Sequence, residues 1–223
     1  MSPRLKVVGL LLVLIFIQFS ATSASSLQER FIVDQSATPS TLDWWQNIAQ
    51  IPQIGQEFTP TLTGVNFVEL FMRDAECATT PPPHGDAALQ VQVNIHGATI
   101  NGPVLGASVV ASLAPCFDDI ARFQFPSVVP LIPGSVYVLE PVYVGGREAM
   151  VGAAFSDTYS GGAAISLGQR FTNSDLWFQE GILASIATTR EDCKNGGWQQ
   201  LIRPDGTMFK NQGDCTKFVN KSQ

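Results

Sequence analysis

The chain has 223 residues, with 13 Lys and Arg against 19 Asp and Glu, and 45% of it is hydrophobic. The acidic balance works against nucleic acid or an anionic membrane surface as a partner, and the apolar content excludes a disordered chain. The length allows one full core and a small appendage.

The opening MSPRLK is basic, and Val7 to Phe19 form an apolar run too short for a comfortable membrane span, followed at once by the small residues Ala21 to Ser25. This order predicts a signal peptide over residues 1–24, cleaved near Ala24, with an oxidising destination and no membrane span in the mature chain. Without Arg4 and Lys6 the mature chain holds 11 basic and 19 acidic residues, net −8.

STLDWWQNIAQI, at 40–51, is the single helix candidate: Ser40 or Thr41 could cap it, and Leu42, Trp45 and Ile48 would share a face. A loop is the alternative reading. Beyond it, apolar residues alternate. TTPPPHGD at 79–86 reads as a stiff exposed loop, since three consecutive prolines suit neither a sheet interior nor a helix. In ALQVQVNIHGATI, Leu89, Val91, Val93 and Ile95 alternate with Gln90, Gln92, Asn94 and His96, so one face is buried and the other is wet. VNFVELFM from Val65, PVLGASVVASL from Pro103, IARFQF from Ile120, SVYVLEPVYV from Ser135, REAMVGAAF from Arg147, AAISLG from Ala163 and DLWFQEG from Asp175 read the same way. Their spacing, with Gly and Pro turns between, predicts an all-β antiparallel sandwich over about 31–183. In the last of these strands the neighbours Trp177 and Phe178 point to opposite faces, one into the core and one over the second face.

Charge type marks a boundary. Residues 25–189 contain no lysine and carry 5 basic and 15 acidic residues, whereas 190–223 carries 6 basic and 4 acidic. A short connection at about 184–189 therefore leads to a small separate tail module. Cys193 and Cys215 close a loop in it. A zinc site needs four ligands, usually in close Cys or His pairs, and the tail has neither histidine nor CxxC. A disulfide is the better reading, because so small a unit cannot bury enough apolar area to hold itself. Trp198, Phe209 and Phe218 would pack around it. Cys77 and Cys116 are then paired by elimination, although four cysteines permit three connectivities.

The stretches QEFTPTLTGVNFVELFMRD, ALQVQVNIHGATINGPVLGAS, FQFPSVVPLIPGSVYVLE, YSGGAA and SDLWFQEG together resemble a family of secreted bacterial jelly-roll modules related in shape to galactose-binding-like domains. The tail, with CKNGGW followed by FKNQGDC, resembles a short module found at the ends of secreted bacterial proteins; RPDG at 203–206 departs from that pattern and reads as a turn between two short strands. The resemblance implies an antiparallel jelly-roll β-sandwich followed by a disulfide-closed C-terminal β module, and supplies no reaction. It also implies a structural calcium between first and last strands, for which Asp34 and Asp175 are the matching acids. Six to eight oxygen ligands would be needed.

No GxSxG, HExxH, Walker or GxGxxG pattern is present, and two histidines are too few for a triad or a three-histidine metal site. His84, after the prolines, and His96, on the wet face of its strand, read as solvated. A glycosidase needs only two facing carboxylates, for which Glu69, Glu140 and Glu180 are candidates. For a binding role the informative residues are aromatics, since flat rings stack on sugar faces. Trp44, Trp45 and Tyr159, the last in a glycine-flanked loop, are the candidate ligand-binding residues. Three functions follow as expectations: a secreted non-catalytic binding module for glycan or another extracellular ligand, a structural or surface-associated protein with an attachment tail, and a hydrolase with a carboxylate pair.

Overall fold

A computed structural model describes residues 28–79, 86–199, 201–203 and 207–222. The signal peptide, nearly all of the proline loop with His84, and most of the RPDG turn lie outside them. Fifteen strands run in chain order: β1 (Gln28–Ala37), β2 (Trp44–Asn47), β3 (Gly55–Phe58), β4 (Gly64–Asp74), β5 (Leu89–Gly97), β6 (Val104–Ala107), β7 (Ala111–Leu113), β8 (Asp118–Pro130), β9 (Tyr137–Gly146), β10 (Ala149–Ala154), β11 (Ala164–Ser166), β12 (Gln169–Phe171), β13 (Asp175–Leu176), β14 (Phe178–Ile186) and β15 (Leu201–Ile202). Two helices, α1 (Ala75–Thr79) and α2 (Gln212–Ser222), follow β4 and close the chain. Among the described residues no helix is long and apolar enough to cross a membrane.

The strands form the expected antiparallel sandwich. One sheet has eight strands, in the order β1-β14-β4-β10-β13 with β8, β2 and β15 attached to β4, β10 and β14; the other has seven, β12-β11-β3-β9-β5-β6 with β7 attached to β5. Alternation in β5 works as the sequence predicts, with Leu89, Val91, Val93 and Ile95 fully buried. They meet Val68, Leu70, Met72, Phe123 and Phe178 from the opposite sheet in one core.

The segment at 40–51 is a strand and a turn, not a helix. Trp44 to Asn47 pair with Ala153 to Met150 of β10, and only then does the chain turn, with the Asn47 side chain accepting from the Ala49 N–H. The helical pattern loses to a long-range partner. His96 is also corrected: it sits on the outer face of β5 as expected, but the 98–103 loop covers it and leaves it 6% exposed. Its Nδ1 donates to the Gly102 carbonyl, and its Nε2 meets the Glu140 carboxylate at 2.8 Å.

Both disulfides pair as expected, Cys77 with Cys116 and Cys193 with Cys215. The first closes one end of the sandwich over a buried ion pair. Arg147 Nε donates to Asp74 at 2.7 Å, and the same carboxylate accepts from the backbone N–H groups of Cys116, Glu76 and Cys77. Burial alone would raise the Asp74 pKa, but hydrogen bonds from Arg147 and from these N–H groups outweigh it and hold the carboxyl below its ordinary value.

The tail departs from an all-β module. Its one strand among the described residues, β15, is two residues long and adds in parallel to β14, and Met208 bridges back to Ile202. Turns and a short 3-10 helix at Gly197–Gln199 precede β15, and the tail closes with α2, which starts because Asn211 caps it: the Asn211 side chain accepts from the Asp214 N–H at 2.9 Å, three residues on. Cys215, Phe218 and Val219 then share its inner face and pack with Phe209, Trp198 and Cys193. Bridging a loop of this length is worth about 3 kcal/mol in the chain-entropy model, a large share for so small a unit. Ile202 joins Ile182 and Ala184 of β14 in a satellite cluster, so the tail is continuous with the body's sheet.

Candidate functional site

The outer face of the eight-stranded sheet holds the aromatic surface. Alternation along β4 sends Val68, Leu70 and Met72 inward and Glu69, Phe71 and Arg73 outward. Beside them, β2 contributes Trp45 and the β13–β14 junction contributes Trp177. The three rings meet edge to face, Trp45 to Phe71 at 5.7 Å and Phe71 to Trp177 at 6.3 Å between centroids. With Pro39, Ser40, Leu42 and Arg73 they line an open groove of about 420 Å³.

Two features set its chemistry. The Arg73 guanidinium lies 3.9 Å from the Trp45 ring centroid and its Nε donates to Asp118 at 3.0 Å, so the fork is fixed in place by a ring and a carboxylate together. Below Trp45, β10 carries Gly152, where an added Cβ would stand 2.7 Å from Leu42 and 3.2 Å from the indole. The absent side chain lets Trp45 and Leu42 lie against the sheet. The groove thus places three half-buried rings beside a guanidinium and a carboxylate held in position.

Of the expected binding residues, Trp45 is in this groove. Trp44 is not: it points the other way, stacked on Phe155 with rings parallel and centroids 5.5 Å apart and packed against the core, its buried Nε1 without an acceptor. Tyr159 is corrected from a loop platform to a core residue. It is 9% exposed, packs edge to face on Phe178, and its hydroxyl accepts from the Thr59 N–H. Trp177 and Phe178 divide as expected, Phe178 buried in the core and Trp177 in the groove.

The expected calcium acids do not fit a shared ion. The Asp34 carboxylate accepts from the backbone N–H groups of Thr61 and Leu62, the Thr61 hydroxyl and the Gln35 amide. Asp175 accepts from Gln56 and from the Thr158 and Tyr159 N–H groups, tying β13 to β3 of the other sheet. Each carboxylate is filled by donors that a cation would have to displace, and each closes a different loop. Glu180 is fully buried on β14 beside the Asp34 carboxylate and the Gln35 backbone, with neither oxygen in a hydrogen bond of normal geometry. Burial, with the like charge of Asp34 added, pushes it up to about 9.

The three glutamates considered as a catalytic pair stand apart. Glu69 is on the outer face of β4 with Arg122, Glu140 is on the other sheet with His96, and Glu180 is in the interior. No two flank a common cleft. Asp74, Cys77 and Cys116 lie close together, but the sulfurs are bonded to each other and Arg147 holds the carboxylate, so no metal ligand set results.

Sequence reasoning overlooked Phe71 and Arg73. The signal was present, because VNFVELFMRD read with a period of two puts Phe67, Glu69, Phe71 and Arg73 on the face that Val68, Leu70 and Met72 leave to solvent. Aromatic residues recurring on a wet face ask for a reason. No known family model and no curated protein matches this chain.

Proposed function

We propose that this chain is an exported, non-catalytic glycan-binding module whose binding surface is the groove of Trp45, Phe71, Trp177 and Arg73. The observation that carries the reading is the groove itself: three contacting rings, an open shape and a guanidinium fixed between an indole and a carboxylate. The leader-like N-terminus and the two disulfides support export. The separated glutamates favour binding over hydrolysis.

A glycan array on the purified protein tests this. Trp45→Ala and Trp177→Ala are each expected to weaken the array signal at least about tenfold, the scale of a central aromatic anchor. Trp44→Ala should leave it intact, because Trp44 is under Phe155 and outside the groove. Silence of the native protein across the array, or equal loss in all three variants, would contradict the assignment.

A further inference from the structure

The aromatic groove does not end the usable surface of its sheet. On β8, Asp118, Ile120, Arg122 and Gln124 all face outward, and the distance along the strand from the first to the last is about 20 Å. Ile120 stands opposite Phe71, and Arg122 opposite Glu69. Past that pair lies a second open groove of about 380 Å³, lined by Val109, Val110, Ala111, Arg122 and Gln124.

On the other side of Arg122, outside the lining of this groove, lies a second pair of rings. Phe31 of β1 is 45% exposed and meets Phe67 edge to face at 5.3 Å, while the Arg122 guanidinium lies 3.9 Å from its centroid. This repeats the arrangement in the first groove, where Arg73 covers Trp45 and holds Asp118. In both places an arginine stacks on a ring and pairs with a carboxylate, Asp118 in one and Glu69 in the other. Gly181 of β14, opposite Phe67 on one side and Val33 on the other, carries no side chain where a Cβ would stand 2.0 Å from the Ile32 carbonyl, and so lets Phe31 and Phe67 meet across that strand.

Charge narrows the occupant. Both arginines already hold carboxylates, and the segment 25–189 carries 5 basic against 15 acidic residues, so the face offers no excess positive charge to an anion. The length of the face is several times that of one sugar ring.

We propose that this face binds consecutive sugars of an uncharged polysaccharide chain, with Trp45, Phe71 and Trp177 forming one subsite and Phe31, Arg122 and Val110 a second beyond the Glu69–Arg122 pair. The proposal rests on the glycan-binding reading and adds to it the class of ligand, an extended neutral chain in place of a terminal or acidic sugar.

Calorimetric titration of the full protein with a disaccharide and a hexasaccharide of the neutral glycan selected on the array separates the two claims. The hexasaccharide should bind at least about tenfold more tightly than the disaccharide, with little change between low and high salt. Phe31→Ala and Arg122→Ala should remove that advantage and leave disaccharide affinity unchanged, which also shows that the variants are folded. Equal affinity for the two lengths, or a hexasaccharide advantage indifferent to both substitutions, overturns the second subsite while leaving the first. Binding only to acidic glycans overturns the ligand class. Binding to no glycan overturns the reading beneath it.

Discussion

Glu180→Gln is expected to raise the melting temperature by roughly 10 °C at pH 7 to 8 and to change it little near pH 4.5. The sign follows from the buried carboxyl. Its pKa is 4.5 in the unfolded chain and about 9 in the folded one, so the folded state keeps a proton that the unfolded state gives up. The stability this group contributes is complete below pH 4.5 and is lost as pH rises toward 9. At neutral pH the loss amounts to about 3 kcal/mol, at 1.36 kcal/mol for each pH unit above the unfolded value. Glutamine has the same shape and never ionises, which removes the loss. Melting curves from pH 4 to 9 check this: a native curve that falls with pH and a flatter Glu180→Gln curve are expected, and parallel curves would contradict a neutral buried acid.

Arg147→Met should destabilise the protein by about 3–5 kcal/mol at pH 7, the cost of leaving a buried carboxylate without its cation. Asp74 is wholly buried and Arg147 only 4% exposed, so water cannot replace the lost partner. Here the pH dependence runs the other way. Asp74 is held below its ordinary value, so its contribution is present above pH 3.8 and lost as pH falls through the folded value. The deficit of the variant should therefore shrink in acid, where Asp74 takes up a proton. Urea midpoints at pH 7 and pH 3.5, with Asp74→Asn/Arg147→Met as the neutral reference, would show it; a deficit unchanged by acid, or a double variant as weak as the single, would refute the paired-charge account.

The sandwich was readable because its strands carry their own period. Leu89 to Ile95 name the buried face of β5 without reference to any other strand, and Trp177 and Phe178 divide between two faces because neighbours in a strand must. What the sequence left open depends on residues far away in the chain. Trp44 to Asn47 have a helical spacing and become a strand because β10, a hundred residues on, offers an open edge and a glycine under Trp45. His96 alternates as a wet residue and is covered because the chain doubles back at 98–103, with Ala98 at φ 64°. Tyr159 stands between Thr158 and Ser160, just before Gly161 and Gly162, as a loop residue would, yet its hydroxyl is drawn inward to the Thr59 backbone.

The aromatic groove was half legible. Trp45 stands out in the sequence, but the surface it belongs to is assembled across β2, β4, β8 and β14, and no spacing along the chain encodes that assembly. In the tail, Asn211 and Asp214 at capping positions and the Cys215, Phe218, Val219 face carry a local signal for α2 that the reading of the tail as a β module passed over.

The four indole N–H resonances give the most direct view of the groove. In a titration of the nitrogen-labelled protein with the array-selected glycan, Trp45 and Trp177 should shift together and saturably, while Trp44, under Phe155, and Trp198, against the tail disulfide, stay in place. Saturable shifts confined to Trp44 or Trp198, or to none of the four while the glycan binds, would put the ligand somewhere other than this face.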